Sequence, residues 1–232
     1  MTREILADLL DRNDDHVAAL DRGAFADKRD VQRPPVVSVC CSDSRVSQEG
    51  MWSVDGPGYL FTAGNIGNRV IDVTAGGERV LEGSAAYPLG HTETNVLAVV
   101  GHTGCGAVGA ALQAARTGEY PDEAGVRADV EELVPIVEDG LADPAVTEGT
   151  DDVTVRNRLV EYNVHEQVAF ASGNPDAAGA DVYGFVYDFH GAYGDRDGAT
   201  YLVNANGERD PDTLRELVGD DRADHVGGLL SN

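Results

Sequence analysis

The chain has 232 residues, 42% of them hydrophobic, which is enough for one domain with a sizeable core. Its 41 Asp and Glu against 17 Lys and Arg leave a formal net charge of -24, and Lys28 is the only lysine. A surface this acidic repels phosphate backbones and anionic lipid, so it excludes nucleic-acid and membrane partners; the ordinary apolar content excludes a disordered acidic chain.

In chain order, residues 4–20 (EILADLLDRNDDHVAAL) repeat apolar positions at helical spacing and predict an N-terminal helix, with Asn13 as a candidate break. PPVVSVCC, ending at Cys41, is a continuous β-branched run suited to a strand buried on both faces. GYLFTAGN (58–65) predicts a second strand, ERVLEGSAAYPLG (78–90) a helix, and NVLAVVGH (95–102) a third buried strand. A small-residue helix follows over 106–116. The acid-rich stretch 119–152, whose one basic residue is Arg127, predicts an amphipathic helix (ADVEELVPIVEDGL) and a solvated loop. A longer helix is expected over 152–172, then two strands (DVYGFVYDFHGAYGD and ATYLVNANG) joined by a turn around Asp195 to Gly198. The polar final twenty residues predict a short helix with a loose end.

This alternation predicts an α/β fold: an open, mostly parallel β-sheet flanked by helices, with right-handed crossovers and a C-terminal antiparallel hairpin. No repeat or linker divides it, so residues 1–232 read as a single domain, with 1–30 as an N-terminal helical arm and 119–152 as an acidic helix and loop.

The charged start, MTREILADLLDRNDD, and the lack of an apolar run of spanning length predict a cytoplasmic protein. Its three cysteines, an odd count, then read as ligands or nucleophiles before disulfides. Many acids and few lysines around a normal core further predict a cytosol rich in salt, where screening relieves self-repulsion.

Two segments carry chemistry. Cys41-Ser42-Asp43-Ser44-Arg45 follows the first strand, and His102-Thr103-Gly104-Cys105 follows the third. His-x-x-Cys lets two donors from one turn reach one ion, and two thiolates with an imidazole suit Zn²⁺. Both segments lie at carboxyl ends of parallel strands, the edge where open α/β sheets bind ligands. Strand alternation turns Cys40 to the opposite face from Cys41, as a core thiol. Cys41, His102 and Cys105 then leave a fourth position, open to water or to Asp43, which is the pattern of a catalytic rather than a structural zinc. Asp43 can orient a zinc-bound hydroxide, and Arg45 can hold that carboxylate ionised. His16, His91, His165, His190 and His225 have no ligand-like spacing and read as surface or core histidines.

In these paired motifs, and in the run SAAYPLGHTETNVLAVVGHTGCG, the sequence resembles the β-class carbonic anhydrases over roughly residues 30 to 116. The resemblance implies reversible hydration of CO2 to bicarbonate and a proton by zinc-bound hydroxide, with one Zn²⁺ per chain. It implies a parallel sheet with an added antiparallel edge strand. It also implies an N-terminal arm that wraps a partner, giving a homodimer or dimer of dimers with the active site near the interface. Gln32, nine residues before Cys41, and Gly106 stand at positions where the family contacts substrate. A COS or CS2 hydrolase on the same scaffold is the nearest rival. A non-catalytic zinc or redox module, in which adjacent Cys40 and Cys41 respond to oxidation, is a rival of another class.

Overall fold

The computed structural model describes residues 2–148 and 151–230. Helix α1 (Thr2–Ala19) opens the chain and runs unbroken through Asn13, with an Arg12–Asp8 pair one turn apart at 2.8 Å. Strand β1 (Val36–Cys41) leads through the short α2 (Gln48–Met51) to β2 (Leu60–Asn65). A small hairpin, β3 (Ile71–Val73) and β4 (Arg79–Leu81), precedes α3 (Gly83–His91). Then come β5 (Val96–His102), α4 (Gly106–Thr117), α5 (Ala124–Ala142), α6 (Pro144–Thr147) and α7 (Asp152–Ser172). The chain finishes with β6 (Asp181–Asp188), β7 (Ala199–Ala205) and α8 (Pro211–Val218), followed by a 3-10 turn over Asp220–His225.

The five main strands form one sheet in the order β2-β1-β5-β6-β7, parallel except for β7, which pairs antiparallel with β6. This is the expected sheet, edge pair included. The expected helix over 78–90 is shorter than its pattern suggested. Arg79–Leu81 pairs with β3 across a turn in which the Gly77 N–H donates to the Thr74 carbonyl (2.8 Å), and Glu82 starts α3 by capping the Ser84 N–H. The acidic stretch is also more helical than expected: α5 begins at Ala124, a turn ahead of the expected ADVEELVPIVEDGL, and α6 occupies part of the expected loop.

The main core lies on one face of the sheet. Val37, Val39 and Cys41 of β1 pack there with Leu97 and Val99 of β5 beneath side chains of α3, α4, α5 and α7. Helix α7 lies close against β5 and β6 because both strands carry a glycine beneath it. A Cβ at Gly101 would fall 2.8 Å from Val164 Cγ2, and one at Gly184 would fall 2.7 Å from Val164 Cγ1. Cys40 faces the other way, in a small cluster with Ala98 and Val100 against Met51, Trp52 and Phe185. No described helix is long and apolar enough to cross a membrane.

The C-terminal end is held rather than loose up to Leu230. Val226 bridges to Leu202 of β7, and the Leu229 and Leu230 N–H groups donate to Glu161 of α7 at 2.7 and 3.2 Å. The expectation rested on polar composition, which does not reveal backbone donors meeting a buried carboxylate. Residues 231–232 lie outside the described residues.

Candidate metal centre

Strand pairing assembles the centre. Cys41 ends β1 and His102 ends β5, neighbours in the parallel sheet, while Cys105 stands immediately before the first residue of α4. The donor atoms of these three residues all lie within 4.8 Å of one another, and all three residues are buried. The two sulfurs are 3.8 Å apart.

The turn between His102 and Cys105 is fastened at every step. His102 Nδ1 lies 3.0 Å from the Thr103 carbonyl, which only accepts, so Nδ1 carries the proton and Nε2 presents a lone pair. That Nε2 is buried and has no hydrogen-bond partner. The Thr103 N–H donates to the Tyr187 carbonyl (3.0 Å), and the Gly104 N–H to Asn157 Oδ1 of α7 (2.9 Å). Gly104 sits at φ 67°, and a Cβ there would meet the His190 ring at 2.5 Å, so the turn needs glycine on two counts.

The thiols are electrostatically unequal. A hydrogen bond from Cys105 draws the Cys41 thiol well down from its usual range, against the effect of burial. The same bond, with burial, pushes Cys105 well up, while the Val108 and Ala107 N–H groups at the start of α4 act in the opposite sense. Cys40, on the other face, is pushed up to about 12, chiefly by burial, as befits an inert core thiol.

Asp43 stands beside the donors without joining them: its Oδ2 is 3.7 Å from His102 Nε2. Arg45 grips it bidentately, with Nε on Oδ1 at 2.9 Å and Nη2 on Oδ2 at 2.7 Å, and adds its backbone N–H to Oδ1. These bonds hold the Asp43 carboxyl well below the usual carboxylate range. The Arg45 guanidinium lies 4.6 Å from the centre of the Phe189 ring, and Phe189 stacks on His102 at 5.7 Å and 19°.

The structure thus brings together Cys41, His102, Cys105, Asp43 and Arg45. Gly106 adjoins them as the exposed first residue of α4, with open space where a Cβ would be. Gln32 is not brought to them. It is exposed ahead of β1, whereas the donors gather at the carboxyl end of that six-residue strand, roughly 20 Å of extended chain beyond its start. Sequence reasoning missed Phe189, Asn157, Asp188 and the His190 contact. The one available signal was that Asp188 ends a strand at the same sheet edge.

Two thiols, a buried imidazole nitrogen without a partner and an adjacent tethered carboxylate form a donor set that fits zinc. At the carboxyl edge of an open parallel sheet, they define an α/β protein with a cluster that could hold a metal ion. A family model described as carbonic anhydrase matches residues 36–192, from β1 to just beyond Phe189. Carbonic anhydrase 2 of Mycobacterium tuberculosis is 32% identical over 171 residues, 73% of this chain and 70% of that protein. A carbonic anhydrase of Pseudomonas aeruginosa is 30% identical over 165 residues, 68% of this chain and 70% of that protein. Among solved structures, a tetrameric β-carbonic anhydrase of Sordaria macrospora superposes with a TM-score of 0.64 at 19% identity, over 81% of this chain and 92% of that one. The chain belongs to the β-class carbonic anhydrase family.

Proposed function

We propose that this enzyme interconverts CO2 and bicarbonate at a zinc ion held by Cys41, His102 and Cys105. The observation that carries the reading is the partnerless Nε2 of buried His102, beside two sulfurs 3.8 Å apart and the Arg45-clamped Asp43. A zinc ion in such a setting supplies the Lewis acidity that lets water lose a proton near neutral pH.

The chain's own groups do the rest. Thr103 fixes the His102 tautomer, so Nε2 is the atom offered to the metal. Asp43, ionised by its bonds to Arg45, can only accept; it takes a hydrogen bond at Oδ2 and so aims the oxygen that must attack CO2. Arg45 keeps the carboxylate ionised and turned to its own guanidinium. Gly106, without a side chain at the start of α4, leaves room for a small substrate. The test is rapid-mixing measurement of CO2 hydration with zinc removed and restored. Activity that does not follow zinc content would overturn the reading.

The assembly belongs to the same proposal. Ile5, Leu6, Leu9 and Leu10 of α1 are exposed. A second copy of the chain is their proposed cover, giving a homodimer or a pair of dimers; Gln32 would then reach only a partner's site. The three free thiols suit a cytoplasmic location, and the charge of -24 suits one rich in salt.

A further inference from the structure

The metal-bearing turn is connected to the C-terminal tail by an unbroken series of hydrogen bonds that none of the site's chemistry requires. At the far end stands Glu161 of α7, a carboxylate only 1% exposed. It accepts three donors: the Leu229 N–H at 2.7 Å, the Leu230 N–H at 3.2 Å and the Tyr193 hydroxyl at 2.6 Å. His165 Nε2 lies 3.5 Å away on the next turn of the helix. Two of the three donors therefore come from the tail and one from Tyr193.

Tyr193 faces both ways. Its hydroxyl serves Glu161, its ring stacks on Tyr201 at 5.2 Å, and its backbone N–H donates to Asp188 Oδ2 at 2.8 Å. Asp188, 1% exposed, ends β6. Its Oδ1 accepts the His190 N–H at 2.9 Å and the Thr103 hydroxyl at 3.1 Å. The Thr103 oxygen in turn accepts the Phe189 N–H at 3.2 Å and lies 3.0 Å from His190 Nδ1. Thr103 is the residue whose carbonyl orients His102.

We propose that the C-terminal tail is a latch on the metal centre, and that Glu161, Tyr193, Asp188 and Thr103 are positioning residues which transmit its grip to His102. The inference rests on the reading of Cys41, His102 and Cys105 as metal ligands. A buried carboxylate stripped of donors loses charge-assisted bonds that water cannot replace without entering the core. Without the tail, Glu161 keeps one donor, the Tyr193 hydroxyl, and its carboxylate is free to shift, carrying that hydroxyl and with it the Tyr193 backbone that fastens Asp188. Asp188 then no longer anchors Thr103, and the His102 ring samples orientations in which Nε2 misses the sulfurs. The tail and Tyr193 hydrogen-bond to none of the three ligands, so their effect travels through these groups, each of which satisfies several partners at once.

The experiment measures zinc affinity by competition with a chromophoric chelator, at a temperature where circular dichroism shows every metal-free variant folded. Wild-type protein that binds no zinc would defeat the metal-centre reading itself, separately from this proposal. With wild type binding, Tyr193→Phe and a chain ending at Gly227 are expected to weaken zinc by about 3- to 30-fold. Asp188→Asn, nearer the ligand, should weaken it by about 10- to 100-fold. Thr103→Val should behave like Asp188→Asn, and Thr103→Ser, which restores the hydroxyl, should return close to wild type. The latch is overturned if Tyr193→Phe binds zinc within about twofold of wild type, the scatter of uncoupled sites. That holds even if its melting temperature falls, because a merely structural role would lower stability and leave affinity alone. Should the shortened chain not fold, Tyr193→Phe decides alone, since it removes one hydroxyl and keeps the ring.

Discussion

At the scale of single residues, the proposed division of labour at the centre separates metal binding from turnover. Cys41→Ala, His102→Ala and Cys105→Ala each remove one of three donors and should lose both zinc, measured by elemental analysis, and CO2 hydration. Asp43→Asn removes no donor. The amide keeps the size of the carboxylate but can present N–H where only an acceptor serves, and Arg45 loses its bidentate anion. It should hold a full equivalent of zinc while kcat/KM falls by about 10²- to 10⁴-fold; wild-type turnover in this variant contradicts the role given to Asp43. These five residues were legible in the sequence because cysteine, histidine and Asp-x-Arg at strand ends have few other uses in such close array. Asp188 and Phe189 were not. Their meaning is created by the pairing of β5 with β6, which sets Asp188 against Thr103 across 85 residues of chain. Pairing of that range leaves no local periodicity to read.

At the scale of elements, α7 is the organising piece: it covers β5 and β6, fastens Gly104 through Asn157 and holds the tail through Glu161. Its start is set by Asp151, whose Oδ1 accepts the Val153 and Thr154 N–H groups at 2.8 and 3.1 Å. These bonds hold the Asp151 carboxyl below its ordinary range, the Thr154 N–H contributing most. A carboxyl depressed in the folded state stabilises fully above its unfolded value, near 3.9, and loses that contribution as pH falls through the folded value. Asp151→Ala should therefore lower the melting temperature by about 2–4 °C at neutral pH, and the gap should close in strong acid. A gap unchanged across that range shows that the cap does not act through its charge. Both ends of α7 were legible, since its pattern starts and stops beside clear caps. The start of α3 was not, because Arg79–Leu81 is too short an apolar run to separate strand from helix without the hairpin that claims it. The anchored tail escaped for a different reason: its hold is made by backbone N–H groups, which every residue other than proline carries.

At the scale of the whole molecule, two features lie outside the core and the centre: the exposed stripe of α1 and the acidic surface. Ile5, Leu6, Leu9 and Leu10 are each about three-fifths exposed, although leucine-sized side chains gain up to about 1.5–3 kcal/mol on full burial. Covered by a second copy, the stripe becomes an interface, so deletion of residues 1–20 should reduce the particle mass found by analytical ultracentrifugation. An unchanged mass would show that assembly uses another surface. The charge of -24 sets the conditions for that measurement. Like charges repel across the fold and between copies, over a Debye length of about 30 Å at 0.01 M salt and only about 3 Å at 1 M. The melting temperature of the full chain should rise between those concentrations of KCl, each kcal/mol of repulsion relieved adding about 2–4 °C. Because two copies bring twice the charge together, the assembly should be the first thing lost as salt is withdrawn. Ultracentrifugation at 0.01 M KCl should then show smaller particles while circular dichroism still reports folded chains. A melting temperature and a mass both indifferent to salt would mean that the acids are placed far enough apart to be screened by water alone.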